Sequence, residues 1–255
     1  MKILIIGDCH GKRPEIPEED FDLVLAIGDI CGGSEEMRSA MFQSIDDERS
    51  WYEIYGDGAK EAVKESIREG KEILEVLNSL GPQVLIVPGN WDWSAEDSEW
   101  SFLEDKGYPQ MLEEFDNIQD LNFSKKEFQG LNFIGYGPCS GPEIPQYEDD
   151  KPDSEEELAE MEGDYRDKKK RLKELFDPET ETVFLSHNAP NGTDLDMIDN
   201  PDSPKHGRHY GSLIVREILE EESPAFNIAG HMHESEGLET ISGVKCLNTG
   251  LHNVW

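Results

Sequence analysis

Basic residues are scarce in this chain. Across 255 residues, 23 lysines and arginines face 57 aspartates and glutamates, a formal net charge of −34 at pH 7. So acidic a surface repels polyanions, which excludes non-specific binding of nucleic acid and adhesion to anionic membranes. The acid is spread through the chain rather than held in one tail, as in a solvated acidic shell. Long apolar runs are missing too: no segment approaches the ~20 apolar residues that span a bilayer. The N-terminal "MKILIIGDCHG" has only about six apolar residues and no small-residue cleavage site, too little for a signal peptide. A cytoplasmic protein is expected. Cysteine is sparse and scattered (Cys9, Cys31, Cys139, Cys246), with no CxxC pair. That excludes a disulfide framework and leaves free thiols as the expectation. Neither an internal repeat nor a linker is visible. One domain over 1–255 is expected, with acidic helical inserts near 35–80 and 145–180 that offer surfaces for contact.

Short apolar runs are what the chain has instead. They are "KILIIGDCH", "DLVLAIGDI", "QVLIVPGNWD", "LNFIGYG", "ETVFLSHNAP", "AFNIAGHMH" and "VKCLNTG". Their length, β-branching and terminal Gly or Pro predict strands buried on both faces. Between the second and third, Val63, Ile67, Ile73, Leu74 and Leu77 form a helical stripe that Gly81 and Pro82 close. A second, acidic helix is predicted over "SEEELAEMEGDYRDKKKRLKELF", with Ser154 as N-cap and Glu157 completing a capping box. A third starts near Ser212 in "SLIVREILEEE". The stretch "GPCSGPEIPQYEDDKPD" reads as a long loop, and long ordered loops are commonly functional. Strands alternating with helices predict an α/β architecture whose strand C-termini gather on one edge and build the site.

Several runs end in polar residues: Asp8 and His10, Asp29, Asn90, His187, then His231 and His233. In Asp8-x-His10 and His231-x-His233, the period-two geometry of extended chain is expected to point both side chains one way. Oxygen and imidazole ligands in this mixture suit first-row divalent metals. Seven such groups exceed one tetrahedral site and suffice for two ions sharing one carboxylate. Manganese, iron, zinc and nickel all fit, and manganese is the ion expected to support activity in vitro.

The series DxH, GD, GN-x-D, a lone His after a strand, then GHxH resembles the calcineurin-like metallophosphoesterases over nearly the whole chain, Asp8 to His233. The segment "SHNAPNGTDLDMI…HYGS…AGHMHESEG" is similar to a prokaryotic branch of predicted phosphoesterases related to cyclic-AMP phosphodiesterase. The resemblance implies a four-layer αββα sandwich: two mixed β-sheets face to face with helices outside. It implies one metal held by Asp8, His10, Asp29 and His233, and a second by Asp29 as bridge, Asn90, His187 and His231. It implies hydrolysis of a small phosphate ester by in-line attack of a metal-bridging hydroxide, with phosphodiesters favoured over monoesters. A monoesterase or protein phosphatase is the alternative, and a non-catalytic metal-binding scaffold a more distant one.

One position departs from that pattern. Many relatives carry a histidine after the asparagine to protonate the leaving oxygen; here it is Trp91, whose indole has no usable proton to give. His209, on a loop between two ligand-bearing strands, is the candidate replacement acid, with a water or a merely structural His209 as the plainer reading. Asn90 and His209 are thus the candidates for acting on substrate, and Arg208 for touching phosphate. Asp92, which orients the absent histidine in relatives, is expected to support Asn90 or the backbone. His206 and His252 read as surface or structural residues.

Overall fold

The computed structural model describes residues 1–44, 47, 49–94, 107–137, 139–201 and 203–255. Residues 45, 46 and 48 of the first expected insert, and 138 of the long loop, therefore lie outside the described residues. The architecture follows from strands apolar on both faces. In the second strand, β2 (Leu23–Ala26), Leu23 and Leu25 join a cluster with Leu85, Phe133 and Leu185, whereas Val24 and Ala26 join another with Ile73 and Leu74. Alternation along one strand thus feeds two separate cores. A third core packs Phe184 and Ala229 against Ile214, Ile218 and Leu172. Three apolar interlayers imply four layers, with helices outside and two sheets inside.

The first sheet joins β1 (Ile3–Ile6), β2, β3 (Gln83–Ile86) and β4 (Ile118–Asp120) in that order, all parallel. The second is mixed. Its order is β5 (Lys125–Phe128), β6 (Leu131–Tyr136), β7 (Thr182–Asn188), β8 (Phe226–Gly230), β10 (Val244–Asn248) and β9 (Gly237–Ile241). Only the two edge strands, β5 and β9, run antiparallel. The far edge of β1 is covered by the last residues of the chain: Trp255 N–H donates to Ile5 O at 2.9 Å, and Gly7 N–H to Asn253 O at 3.0 Å. Covering an edge removes a template for misassociation. Here it also carries the tail to the end of β1.

The first insert forms α1 (Glu35–Ser44), α2 (Trp51–Tyr55) and α3 (Ala59–Ser79). The α3 stripe buries Val63, Ile73, Leu74 and Leu77 as its periodicity predicts. A short α4 (Tyr108–Leu112) precedes β4, and the second insert is α5 (Glu155–Lys173). Ser154 caps α5 by accepting from Glu157 N–H at 3.0 Å, and Ser212 caps α6 (Leu213–Glu222) by accepting from Val215 N–H at 3.0 Å. The predicted loop 137–153 is irregular apart from a single 3₁₀ turn, Glu148–Asp150. All four cysteines are free and buried. Among the described residues no helix is long and apolar enough to cross a membrane.

Candidate metal centre

Each strand of the two facing sheets that carried a polar end in the sequence delivers it to one place. Asp8 and His10 follow β1, Asp29 follows β2, Asn90 follows β3, His187 lies near the end of β7, and His231 directly follows β8. The chain turns sharply as it leaves these strands. His10, Asp29 and His231 have φ of 44°, 49° and 66°, and His233 opens a 3₁₀ turn, His233–Ser235. The extended, period-two reading of the two HxH-like pairs is therefore corrected. Their side chains meet because a left-handed residue bends the backbone, a conformation that non-glycine residues keep only where the surroundings hold it. Two glycines permit the crowding. A Cβ on Gly28 (φ +94°) would lie 2.5 Å from Gly89 N, and one on Gly89 would lie 2.1 Å from Asp29 Oδ1. Asp92 is fully buried and clamps the same crossing, accepting from Cys31 N–H at 2.9 Å and Gly89 N–H at 2.7 Å. It supports backbone, one of its two expected roles.

Asp29 stands at the middle. Its Oδ2 lies 3.4 Å from His10 Nε2 and 3.5 Å from His187 Nε2, while Oδ1 accepts from Trp91 N–H at 2.8 Å. Two groups share it: His10–Asp29–His233 and Asp29–His187–His231, each with its ligand atoms within 4.8 Å of one another. Asn90 Oδ1 approaches His187 Nε2 at 3.0 Å. Asp8 Oδ2 accepts from His231 N–H at 2.8 Å and lies 3.9 Å from His233 Nε2, while Asp8 Oδ1 is buried without a hydrogen-bond partner. All seven residues that the sequence singles out as ligands are thus brought together.

The donor set fits divalent ions. His187 Nδ1 donates to the Ile27 carbonyl at 2.8 Å, which aims the Nε2 lone pair at the Asn90 oxygen. Two acceptors facing each other repel unless a proton or a cation lies between them. His231 Nε2 donates to Ser140 O at 3.2 Å, leaving Nδ1 as the free ring nitrogen. His10 Nε2 and His233 Nε2 are 3.1 Å apart. Nitrogens on adjacent positions of one ion at ~2.1 Å would be roughly 3.0–3.4 Å apart, from octahedral to tetrahedral angles. Burial lowers the pKa of His10, His231 and His233 to about 4, so all three are neutral and able to ligate at pH 7. Burial also pushes Asp8 up to about 8, opposed by His187 and reinforced by Asp29. Burial works against charge on His187, yet Asp29 and Asp8 override it and raise it to about 10. Asp29, which burial alone would raise, is held below the ordinary carboxylate range by His187 and His10.

The remaining candidates separate clearly. His209 Nδ1 donates to Asp196 Oδ1 at 2.7 Å, and its backbone N–H donates to the Tyr147 hydroxyl at 2.9 Å. Asp196 is fully buried and also accepts from the N–H groups of Gly192, Thr193 and Gly211. Arg208 directs Nη1 at both oxygens of Asp149, each at 2.7 Å, and stacks over Tyr147. The structure therefore places it as an anchor for the 137–153 loop. His206 is exposed and 4.0 Å from Asp199. His252, read from the sequence as surface or structural, lies beside His10 with ring centroids 6.5 Å apart. The signal was present: like the ligands, it follows the end of an apolar strand.

Two facing sheets flanked by helices, with carboxylates and imidazoles converging at strand ends, define a four-layer α/β fold whose site is built to hold divalent ions. A sequence profile of the calcineurin-like phosphoesterases matches residues 1–235, and the chain belongs to that family. Membership carries hydrolysis of phosphate esters and the use of divalent metal ions. One crystal structure superposes with a TM-score of 0.64 at 18% identity, covering 98% of this chain and 90% of its own. The phosphopantetheinyl hydrolase PptH of Mycobacterium tuberculosis superposes with a TM-score of 0.54 at 13% identity, over the same shares. At such identity both likenesses concern the fold. No curated protein matches the sequence.

Proposed function

We propose that the chain is a dinuclear, metal-dependent phosphodiesterase. The observation that carries this reading is the pair of ligand groups meeting at Asp29. Asp8, His10, Asp29 and His233 would hold one ion, and Asp29, Asn90, His187 and His231 the other. The ions would supply charge to neutralise phosphoryl oxygens and lower the pKa of the attacking water. The protein's own groups do the rest. Asn90 directs its amide oxygen toward His187, which leaves the amide nitrogen to donate to substrate. His209 keeps Nδ1 on the buried Asp196, the structural role, and water rather than a side chain protonates the leaving oxygen. Arg208, committed to Asp149, has no part in this scheme.

Trp91 at the family's usual acid position supports the diester preference. With no proton donor beside Asn90, the rate should fall steeply as the leaving-group pKa rises, and aryl esters should outpace alkyl ones. The test is hydrolysis of bis(p-nitrophenyl) phosphate and p-nitrophenyl phosphate by metal-stripped protein refilled with Mn²⁺, Zn²⁺, Ni²⁺ or Mg²⁺, with Asp29→Ala as control. Metal-dependent turnover of the diester, lost in the control, is the expected result. Faster monoester turnover would reassign the enzyme to the monoesterases. Equal rates for aryl and alkyl diesters, with chemistry limiting, would overturn the leaving-group argument.

A further inference from the structure

Many basic side chains in this acidic chain pair with acids, as Arg68 does with Glu65 and Glu72, and Lys169 with Glu217 and Glu221. Arg38, on α1, makes no ion pair among the described residues, although Glu69 is close enough to feel its charge. Arg38 is half-buried, its Nε is buried without a hydrogen-bond partner, and no carboxylate of the described residues lies within ion-pair distance. Its guanidinium stands 5.5 Å from the centre of the Trp91 ring, and that ring meets His10 edge-on at 5.8 Å. From the C-terminal tail His252 also meets His10, with interplanar angle 87°. His252 is held there by its backbone N–H on the Asp8 carbonyl at 2.8 Å, in a left-handed conformation (φ 58°). Its Nε2 is buried and has no partner either. The charge of Arg38 is felt at His10, His233 and His252, and that of Lys12 at His252. A guanidinium N–H and an imidazole nitrogen, neither with a hydrogen-bond partner, thus flank one candidate ligand of the metal centre.

We propose that Arg38 and His252 form an anion subsite on the His10 side of the metal centre, which binds phosphoryl oxygens of the substrate. The assignment rests on the phosphoesterase reading. A buried donor left without an acceptor is costly, and native proteins keep few of them. A phosphoryl group offers several acceptors at once, and the guanidinium fork matches its oxygens. Trp91 then has a definite task. Its π face holds the guanidinium in place, so the position that carries a proton donor in many relatives here carries the platform for a fixed positive charge. Such a charge stabilises phosphoryl oxygens without delivering a proton.

Inorganic phosphate is the probe. It is titrated calorimetrically into the metal-loaded wild type and into Arg38→Met, Arg38→Gln and His252→Gln, with metal content measured by mass spectrometry. Arg68→Met, a surface change, is the control. Arg38→Met should keep full metal content and weaken phosphate binding about 10- to 100-fold, the range for lost charge-assisted hydrogen bonds. His252→Gln should weaken it by about 10-fold, and Arg68→Met not at all. Where the diester is hydrolysed, KM should rise with the phosphate dissociation constant. Arg38→Gln keeps a polar but shorter, uncharged side chain and decides the matter should Arg38→Met fail to fold. Wild-type phosphate affinity in a metal-replete Arg38 variant, or no phosphate binding by the wild type, would overturn the subsite. Phosphate binding that depends on Arg38 in a protein that hydrolyses no ester would leave the subsite standing and remove the hydrolase reading instead.

Discussion

Protons occupy the ligand cluster when cations do not, and this has a measurable consequence at single residues. Asp29 and Asp8 raise the pKa of His187 against its burial, and burial raises that of Asp8, so both groups hold protons to higher pH than is ordinary for them. These protons must be shed for the groups to ligate. Metal loading should therefore release protons, more at pH 6.5 than at pH 9. The sign follows from raised pKa values: affinity for metal should climb as pH rises from 6.5 to 9. Calorimetry in buffers of different ionisation enthalpy measures the release directly, and identical apparent enthalpies in all of them would refute it. The candidate ligands were legible in the sequence because each closes an apolar run. Arg38 was not, since nothing in "SEEMRSA" marks one arginine as lacking an acid; only the packing of α1 beside Trp91 does.

Elements impose order on the loop between β6 and α5. Glu143 accepts from Leu213 N–H at 2.9 Å and Ile214 N–H at 3.3 Å, and also from the hydroxyls of Tyr136 and Ser212. A carboxylate here satisfies donors that the first turn of α6 would otherwise leave open and meets the positive end of its dipole. The same loop presents the Ser140 carbonyl to His231. Glu143→Ala should therefore cost about 1–3 kcal/mol, a fall in Tm of roughly 2–12 °C for a chain of this size. Metal affinity should drop with it as His231 loses its orientation. Scanning calorimetry and metal titration test the two effects, and unchanged metal affinity in a destabilised variant would cut the link between loop and centre. At this scale the sequence was readable for apolar elements and silent for polar ones. β5 ("KKEF") and β9 ("GLETI") are edge strands with alternating exposure, and neither has an apolar run to announce it.

For the molecule as a whole, a charge of −34 is a standing repulsion. Screening shortens its reach, from a Debye length of about 30 Å at 0.01 M salt to about 3 Å at 1 M. Tm should rise as KCl is raised from 0.01 to 0.5 M, and the association rate of anionic substrates should rise with it, since the acidic surface slows their approach at low salt. Stopped-flow and thermal melts across that range check both, and a Tm that falls with salt would show that attractive pairs, such as those between α5 and α6, outweigh the repulsion.

Taken alone, the sequence determines the buried strands and the polar groups that end them, because both are written in local chemistry: apolar runs of strand length, each ended by a carboxylate, amide or imidazole. The tertiary structure decides how those groups meet. Left-handed turns at His10, Asp29 and His231, and the close passage of Gly28 against Gly89, depend on neighbouring strands that are far away in the chain. It also decides which charges go unpaired. Arg208 finds Asp149 while Arg38 finds Trp91, and the tail that covers β1 brings His252 to the centre. Periodicity reports which face of an element is buried, but only long-range packing selects the partner that a polar group meets.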